Sequence, residues 1–353
     1  MNVHVLYEYG IEGRPHGASY IRLLLPLGHP ALGTEATVQF GMEYKPCDLL
    51  VIDRTWSPWI TMSRAEMLIK DARRDGCRIL YAIDDNLLDF DLYNLHRQHF
   101  SPEQMRCVRY FARESDAILT STPRLRERLL SLNPNVYVVP NALDERMFPD
   151  VLPETTGWAG KVTIGYMGTF THEADLYMII EPLRQFLRER RESVNFQILG
   201  VSAEAGLELA FAGLPMQFLR AEHTSEYPAF VRWMLDNVRW DIGVAPLVNN
   251  PFTRCKSDIK FLDYSLMGIP GIYSDVESYA LTVKDGETGL LAEETPEAWY
   301  KALVRLTDDA TLRTSMRRKA YDYVRQNRVL EQTARLWLNV LLETAAKRQG
   351  GST

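Results

Sequence analysis

Short apolar runs alternate with helical patterns along this chain, stop once, and start again. The runs VHVLYEY (3–9), ATVQF (36–40), DLLVID (48–53), RILYAID (78–84), AILTST (117–122) and VYVVPN (136–141) read as strands. Helices are expected between them, near 16–26, 61–76, 102–113 and 123–132. Several runs are apolar at successive positions, as parallel strands buried on both faces are. Strand–helix–strand repetition specifies an α/β doubly wound sheet. The segment FPDVLPETTGWAGK (148–161), rich in Pro, Gly and Thr and without periodicity, reads as a linker. Beyond it the pattern resumes with VTIGYMG (162–168), VNFQILG (194–200), MQFLR (216–220), WDIGVAPL (240–247) and GIYSD (271–275), and helices near 175–191 and 225–237. From about 296 to 347 the chain reads as wholly helical, with Leu330, Ala334, Leu336, Trp337, Val340 and Leu341 at helical spacing. Two Rossmann-like units are therefore expected. Open α/β sheets bind ligands beyond the C-terminal ends of their strands, so the expected site is a cleft lined from two sides.

The 353 residues suffice for two domains of ordinary size. A net charge of -6 lacks the basic excess of a nucleic-acid-binding protein, so no nucleic-acid partner is expected. The cysteines Cys47, Cys77, Cys107 and Cys255 form no C-x-x-C pair. That points to neither a zinc site nor a disulfide framework, and suits a reducing, cytoplasmic compartment. MNVHVLYEYG starts as a strand rather than as a signal peptide. The longest apolar runs, such as LLLPL (23–27), fall far short of the ~20 residues a membrane span needs. Any membrane contact is expected to be peripheral.

Mixed charge at the start of an apolar helix marks the first candidate site. KSDIKFLDYSLMGIPGIY (256–273) reads as a helix with Ser257 as N-cap and Gly268 at C′, burying Ile259, Leu262 and Leu266. Lys260 and Asp263 fall on the opposite face, where a surface ion pair worth ~0.2–0.5 kcal/mol is the plain explanation. The functional one is an anion site. A helix N-terminus presents free N–H groups and partial positive charge, and Arg254, Lys256 and Lys260 add full charges. Asp263, one turn further, could accept hydrogen bonds from ribose hydroxyls.

YAIDDNLLDFD (81–91) runs from a strand into Asp84 and Asp85. These suit a divalent metal, a ligand hydroxyl to be oriented or deprotonated, or a helix cap. One aspartate is expected in the cleft and one to be structural, in either order. In YEYGIEGRPHGASYIRLLLPL (7–27) the loop after the first strand carries Gly10, Gly13, Arg14, His16 and Gly17. Gly17 would allow close backbone approach, but the G-x-G-x-x-G spacing of a dinucleotide fingerprint is absent. Arg22 is expected to face the cleft or solvent. Arg54 and Trp56 are expected beside the cleft, with packing the favoured role of the indole.

KSDIKFLDYSLMGIPGIYSDVESYALTVKDGETGLLA (256–292) resembles the C-terminal nucleotide-sugar-binding motif of family 4 glycosyltransferases, which have the GT-B fold. Asp263, Gly268, Pro270, Asp285, Gly286, Gly289 and Leu290 fall on the family's pattern. NVYVVPNALDERMF (135–148) is similar to the family's strand leaving the N-terminal domain, and VTIGYMGTFTHEADL (162–176) to the strand and turn that open the C-terminal one. The resemblance covers most of residues 115–295. It implies an acceptor domain of residues 1–150, joined by a returning helix at about 328–348, and a donor domain of residues 158–327. Of the family's two glutamates, the second, which contacts the donor ribose, corresponds to Asp263, and Cys255 stands at the first. Relatives carry Arg and Lys in the turn after the first donor-domain strand, where this chain has Thr169, His172, Glu173 and Asp175. The diphosphate is therefore expected to meet Arg254, Lys256 and Lys260, beside Gly17, Gly168 and Thr169. His172 is either a donor-side ligand or a loop histidine capping the next helix. With Asp84 and Asp85 it makes the candidate catalytic set.

The activity implied is transfer of a sugar, with retention, from a nucleotide-diphosphate donor to a glycan or lipid-linked acceptor, as in bacterial surface polysaccharide synthesis. No metal or other cofactor is implied, because basic side chains and a helix dipole stabilise the leaving diphosphate. The alternatives are a GT-B epimerase or hydrolase of nucleotide sugars, and a scaffold that binds nucleotide or glycan without turnover.

Overall fold

The computed structural model describes residues 1–88, 100–153, 160–168, 173–200, 204–222 and 226–347. The chain divides into two units. The first is Met1–Asp144, Cys255–Ser257 and Val329–Thr353; the second is Glu145–Arg254 and Asp258–Arg328.

The first unit is built on six parallel strands: β1 (Asn2–Leu6), β2 (Thr37–Gly41), β3 (Leu49–Asp53), β4 (Arg78–Ala82), β5 (Ala117–Thr120) and β6 (Val136–Val138). Their order is β2-β1-β3-β4-β5-β6. Every residue of β3 and β5 is buried, as their unbroken apolar runs require. β1 and β3 are neighbours whose following crossovers go to opposite sides, a topological switch point. One face packs Val3, Val5, Leu49, Val51 and Leu80 against Leu23, Leu27, Leu330, Trp337 and Leu341.

The second unit carries β7 (Val162–Met167), β8 (Val194–Leu199), β9 (Met216–Leu219), β10 (Ile242–Ala245), β11 (Gly271–Ser274) and β12 (Leu290–Ala292). They lie in the order β12-β11-β10-β7-β8-β9, again all parallel, with the switch point between β7 and β10. Ile164, Phe196, Ile198 and Val244 pack with Leu183, Phe186, Trp299 and Leu303.

Two local expectations are corrected and one is refined. Several strands end earlier than their apolar runs: β1 stops at Leu6, so Glu8 lies in the turn beyond the sheet. The helical stretch from 296 is three helices, Pro296–Asp308, Ala310–Asn327 and Leu330–Ala346, and the last belongs to the first unit. Arg22, expected at the cleft or in solvent, is buried within a single π-helical turn, Tyr20–Leu24. Its guanidinium donates to the carbonyls of Thr120 (3.0 Å) and Val139 (2.7 Å) and to Asn141 Oδ1 (2.7 Å). Its own carbonyl accepts from the Trp337 indole at 2.8 Å, and the guanidinium lies 5.6 Å from that ring's centroid. Buried carbonyls at strand ends need donors, and Arg22 supplies them while anchoring the returning helix.

Candidate functional site

In the first unit the switch point between β1 and β3 gathers charge. β3 ends on Asp53, and the chain then turns sharply. Arg54 (φ 43°) and Trp56 (φ 56°) are the non-glycine residues with positive φ among those described. Such conformations cost of order 1–3 kcal/mol each and persist where surrounding bonds over-determine them. Here Arg54 N–H donates to the Ala82 carbonyl at 2.9 Å and Trp56 N–H to that of Asp53 at 2.6 Å. Trp56 is buried, and its indole N–H donates to the Met42 carbonyl at 2.8 Å, which is a packing role.

The side chains of this turn form one network. Asp53 Oδ2 accepts from Glu8 N–H (3.0 Å) and from the Ser19 hydroxyl (2.6 Å). Glu8 accepts from the backbone N–H (3.2 Å) and hydroxyl of Thr55, and its other oxygen lies 3.1 Å from Arg54 Nε. Arg54 Nη1 lies 3.6 Å from Asp84 Oδ1 and 3.6 Å from Asp85 Oδ2; Lys256 Nζ completes the chain 3.3 Å from Asp85 Oδ1. Burial, with Glu8 alongside, pushes the Asp53 carboxyl up to about 7. Burial also raises Asp84 even though Arg54 opposes it. Burial works against the Arg54 charge, but Glu8, Asp84 and Asp85 more than offset this and hold the guanidinium protonated. Four carboxyl groups share two cations, so a proton is retained near neutrality, and the cluster is rich in acceptors for hydroxyl groups. Asp84 Oδ1 is buried and accepts no hydrogen bond among the described residues. Nor do Asp84 and Asp85 belong to a metal-sized group of three or more His, Cys, Asp or Glu side chains among those residues; their counter-ions are Arg54 and Lys256.

Cys255–Ser257 belongs to this unit. The Cys255 carbonyl accepts from the Thr122 hydroxyl at 2.9 Å, and Ser257 Oγ accepts from Asn141 Nδ2 at 2.7 Å. Ser257 is therefore not the helix cap. The helix is Ile259–Leu266, and Asp258 occupies the cap position without a side-chain cap bond. Its carboxylate is engaged by Arg328 through two bonds of 2.8 Å, a bidentate pair. The mixed charge at this helix start thus has specific partners: Asp85 for Lys256, Arg328 for Asp258.

In the second unit, Lys260 through Leu266 are all buried, so this helix has no open polar face. It crosses between β10 and β11 beneath the helix Ala310–Asn327. Asp263 Oδ1 accepts from the Tyr227 hydroxyl at 2.6 Å. Burial pushes the Asp263 carboxyl up to about 7, against the Tyr227 hydrogen bond and the Lys260 charge. At the switch point itself the Tyr264 hydroxyl donates to the Val244 carbonyl (3.2 Å) and accepts from Met167 N–H (3.3 Å), bridging β10 and β7. Gly168 follows β7; a Cβ there would lie 2.5 Å from the Tyr166 hydroxyl, so the chain itself requires glycine. The turn Asp285–Gly289 closes on itself, Gly286 N–H donating to the Gly289 carbonyl at 2.8 Å and Asp285 Oδ1 accepting from Leu291 N–H at 2.9 Å.

The predicted residues are thus distributed. Asp84, Asp85 and Lys256 come together in the first unit. Lys260 and Asp263 share a buried helix in the second, and Arg254 is exposed, bonded to Asn249 Oδ1 at 2.7 Å. Gly17 opens a helix where a Cβ would meet nothing within 4 Å. Thr169 and His172 lie outside the described residues. Sequence reasoning missed Glu8, Asp53, Tyr227 and Tyr264. Asp53 carried a signal, the polar end of a buried apolar run; Tyr227, 36 residues from Asp263, carried none.

Residues 161–309 match the family model described as Glycosyl transferases group 1. No curated protein matches the chain by sequence. Among solved structures, HepE of Anabaena in complex with UDP-glucose is similar at TM-score 0.68 and 13% identity, over 98% of this chain and 100% of that one. Sucrose-phosphate synthase of Thermosynechococcus elongatus is similar at TM-score 0.62 and 14% identity, over 84% and 73%. TarM is similar at TM-score 0.60 and 11% identity, over 83% of this chain; the chain spans only 54% of TarM. The two parallel six-stranded sheets and these neighbours make the fold GT-B, and the family match supports a glycosyltransferase. Among the described residues no helix is long and apolar enough to cross a membrane.

Proposed function

We propose that the protein is a glycosyltransferase moving a sugar from a nucleoside-diphosphate donor to a hydroxyl of a glycan or lipid-linked acceptor. The observation that carries this reading is the match of residues 161–309, most of the second unit, to the glycosyl transferases group 1 model. The sugar nucleotide in the HepE complex agrees with it. On this reading the second unit binds the donor at the β7–β10 switch point, with Gly168 and the adjoining Thr169 and His172 near the phosphates. Arg254, an exposed cation of the second unit, provides positive charge for the diphosphate, while Lys260 and Asp263, the latter held by Tyr227, are buried within their helix. Asp84, whose Oδ1 is buried beside Arg54 and accepts no hydrogen bond among the described residues, takes the acceptor hydroxyl, while Asp85 is neutralised by Lys256. The leaving diphosphate is stabilised by cations without a metal ion. The resemblance to family 4 makes retention the expected stereochemistry and bacterial surface glycans the expected product class. Cys255, a buried thiol where those relatives carry an acid, favours one second reading: a scaffold that binds nucleotide without turnover.

Titration calorimetry with UDP, GDP and dTDP is the first test. Saturable binding of one of them supports both readings, and binding of none sinks both. Turnover then separates the transferase from the scaffold.

A further inference from the structure

Two cysteines lie together at the end of the first sheet opposite Asp53 and Asp84. Cys47 precedes β3 and Cys77 precedes β4, flanking the paired residues Leu49 and Arg78 of adjacent parallel strands. Their Sγ atoms are 3.7 Å apart, and both are free thiols. Cys77 is buried, and Cys47 is partly exposed. The contact is organised by its surroundings. The Cys77 thiol donates to the Cys47 carbonyl, Cys47 N–H donates to Cys77 Sγ at 3.3 Å, and the Tyr44 hydroxyl lies 3.3 Å from the same sulfur and 3.0 Å from Asp75 Oδ2. Cys47 is offset by one residue from the position opposite Cys77; a strand spacing of about 4.8 Å and a rise of about 3.3 Å per residue put their Cα atoms about 5.8 Å apart, inside the separation of about 4.4–6.8 Å that a disulfide spans. Closure to an S–S bond of about 2.05 Å then needs only a short approach of the two sulfurs.

We propose that Cys47 and Cys77 are a modification site: a dithiol that a small-molecule disulfide converts to an intramolecular disulfide. Cys47, the accessible member, attacks as thiolate one sulfur of glutathione disulfide. The S–S bond of the oxidant breaks, a mixed disulfide forms at Cys47, and one glutathione thiolate leaves. Cys77 gives up its proton and attacks the Cys47 sulfur, expelling the second glutathione thiolate. The protein is oxidised by two electrons, the oxidant is reduced by two, and the protons end on the two glutathione molecules. Burial, with Cys77 beside it, pushes the Cys47 thiol up to about 12, so the thiolate is scarce at neutral pH and exchange is slow. The pair therefore answers sustained rather than brief oxidation. Closure would staple β3 to β4, the strands that carry Asp53 and Asp84 at their other ends.

The test uses the full-length protein, incubated for hours with excess glutathione disulfide, acid-quenched and analysed by thiol titration and peptide mapping. The expected result is loss of the Cys47 and Cys77 thiols with Cys107 and Cys255 intact, a cross-linked peptide joining the segments around Cys47 and Cys77, and reversal by dithiothreitol. Cys47→Ser should keep all three remaining thiols titratable. Four unreacted thiols, or a mixed disulfide at Cys47 that never resolves, would overturn the proposal. Neither outcome bears on glycosyl transfer.

Discussion

Asp53 and Asp263 are buried carboxyls whose titration has moved to about 7. An aspartate unperturbed in the unfolded chain titrates near 3.9. Each therefore holds its proton more tightly in the native state. Its contribution to stability is full below the unfolded value and is lost as pH rises through about 7. Asn keeps a similar shape and an acceptor oxygen but never ionises. Between pH 5.5 and pH 8, the stability of Asp53→Asn relative to the wild type should move in the variant's favour by about 1–3 kcal/mol, read from urea midpoints. A difference that stays flat with pH would show that Asp53 ionises in the native state as freely as in the unfolded one. Asp84 is raised by the same physics. The first unit therefore holds its acidic cluster partly protonated at the pH where an acceptor hydroxyl would have to lose a proton.

The elements of the second unit interlock through missing side chains. Gly165 of β7 leaves room for Trp240, Gly243 of β10 for Tyr264, and Gly271 of β11 for Tyr273. A Cβ at Gly243 would lie 2.6 Å from the Tyr264 ring, whose hydroxyl ties β7 to β10. Gly243→Ala should cost about 1–3 kcal/mol, or more if the ring cannot shift, and should weaken nucleotide binding by moving Tyr264 from the switch point. A variant with unchanged melting temperature and unchanged UDP affinity would contradict this.

The strands were legible in the sequence because a parallel strand buried on both faces is a continuous apolar run, and chain order then limits the topology. The helix Ile259–Leu266 was legible too, but its burial was not. Lys260 and Asp263 make it read as amphipathic, yet it is buried all round. The partners that make this tolerable, Tyr227 for Asp263 and Arg328 for Asp258, lie 36 and 70 residues away. No local pattern encodes such pairings. For the same reason the aspartates at 84 and 85 could be singled out, while Glu8, which holds Arg54 beside them, could not.

At the scale of the whole molecule, the chain order does not follow the units. Cys255–Ser257 and the helix Leu330–Ala346 belong with the first sheet, although the residues between them build the second. Lys256 is thereby a neighbour of Asp85, while Lys260, four residues on, is part of the second unit. Trp337 is buried in the first core and bonded to Arg22, so residues 1–144 alone lack one wall of their core. The function proposed for the chain is transfer of a sugar from a nucleoside-diphosphate donor without a metal. Its most direct test is release of free nucleoside diphosphate from UDP-, GDP- and dTDP-sugars, with water or a glycan mixture as acceptor, with and without EDTA. The account predicts release from one nucleotide class, unchanged by EDTA and reduced at least about tenfold by Asp84→Asn, the loss of one acid–base group. No release from any donor by a protein that binds the nucleotide, or release abolished by EDTA, would contradict it.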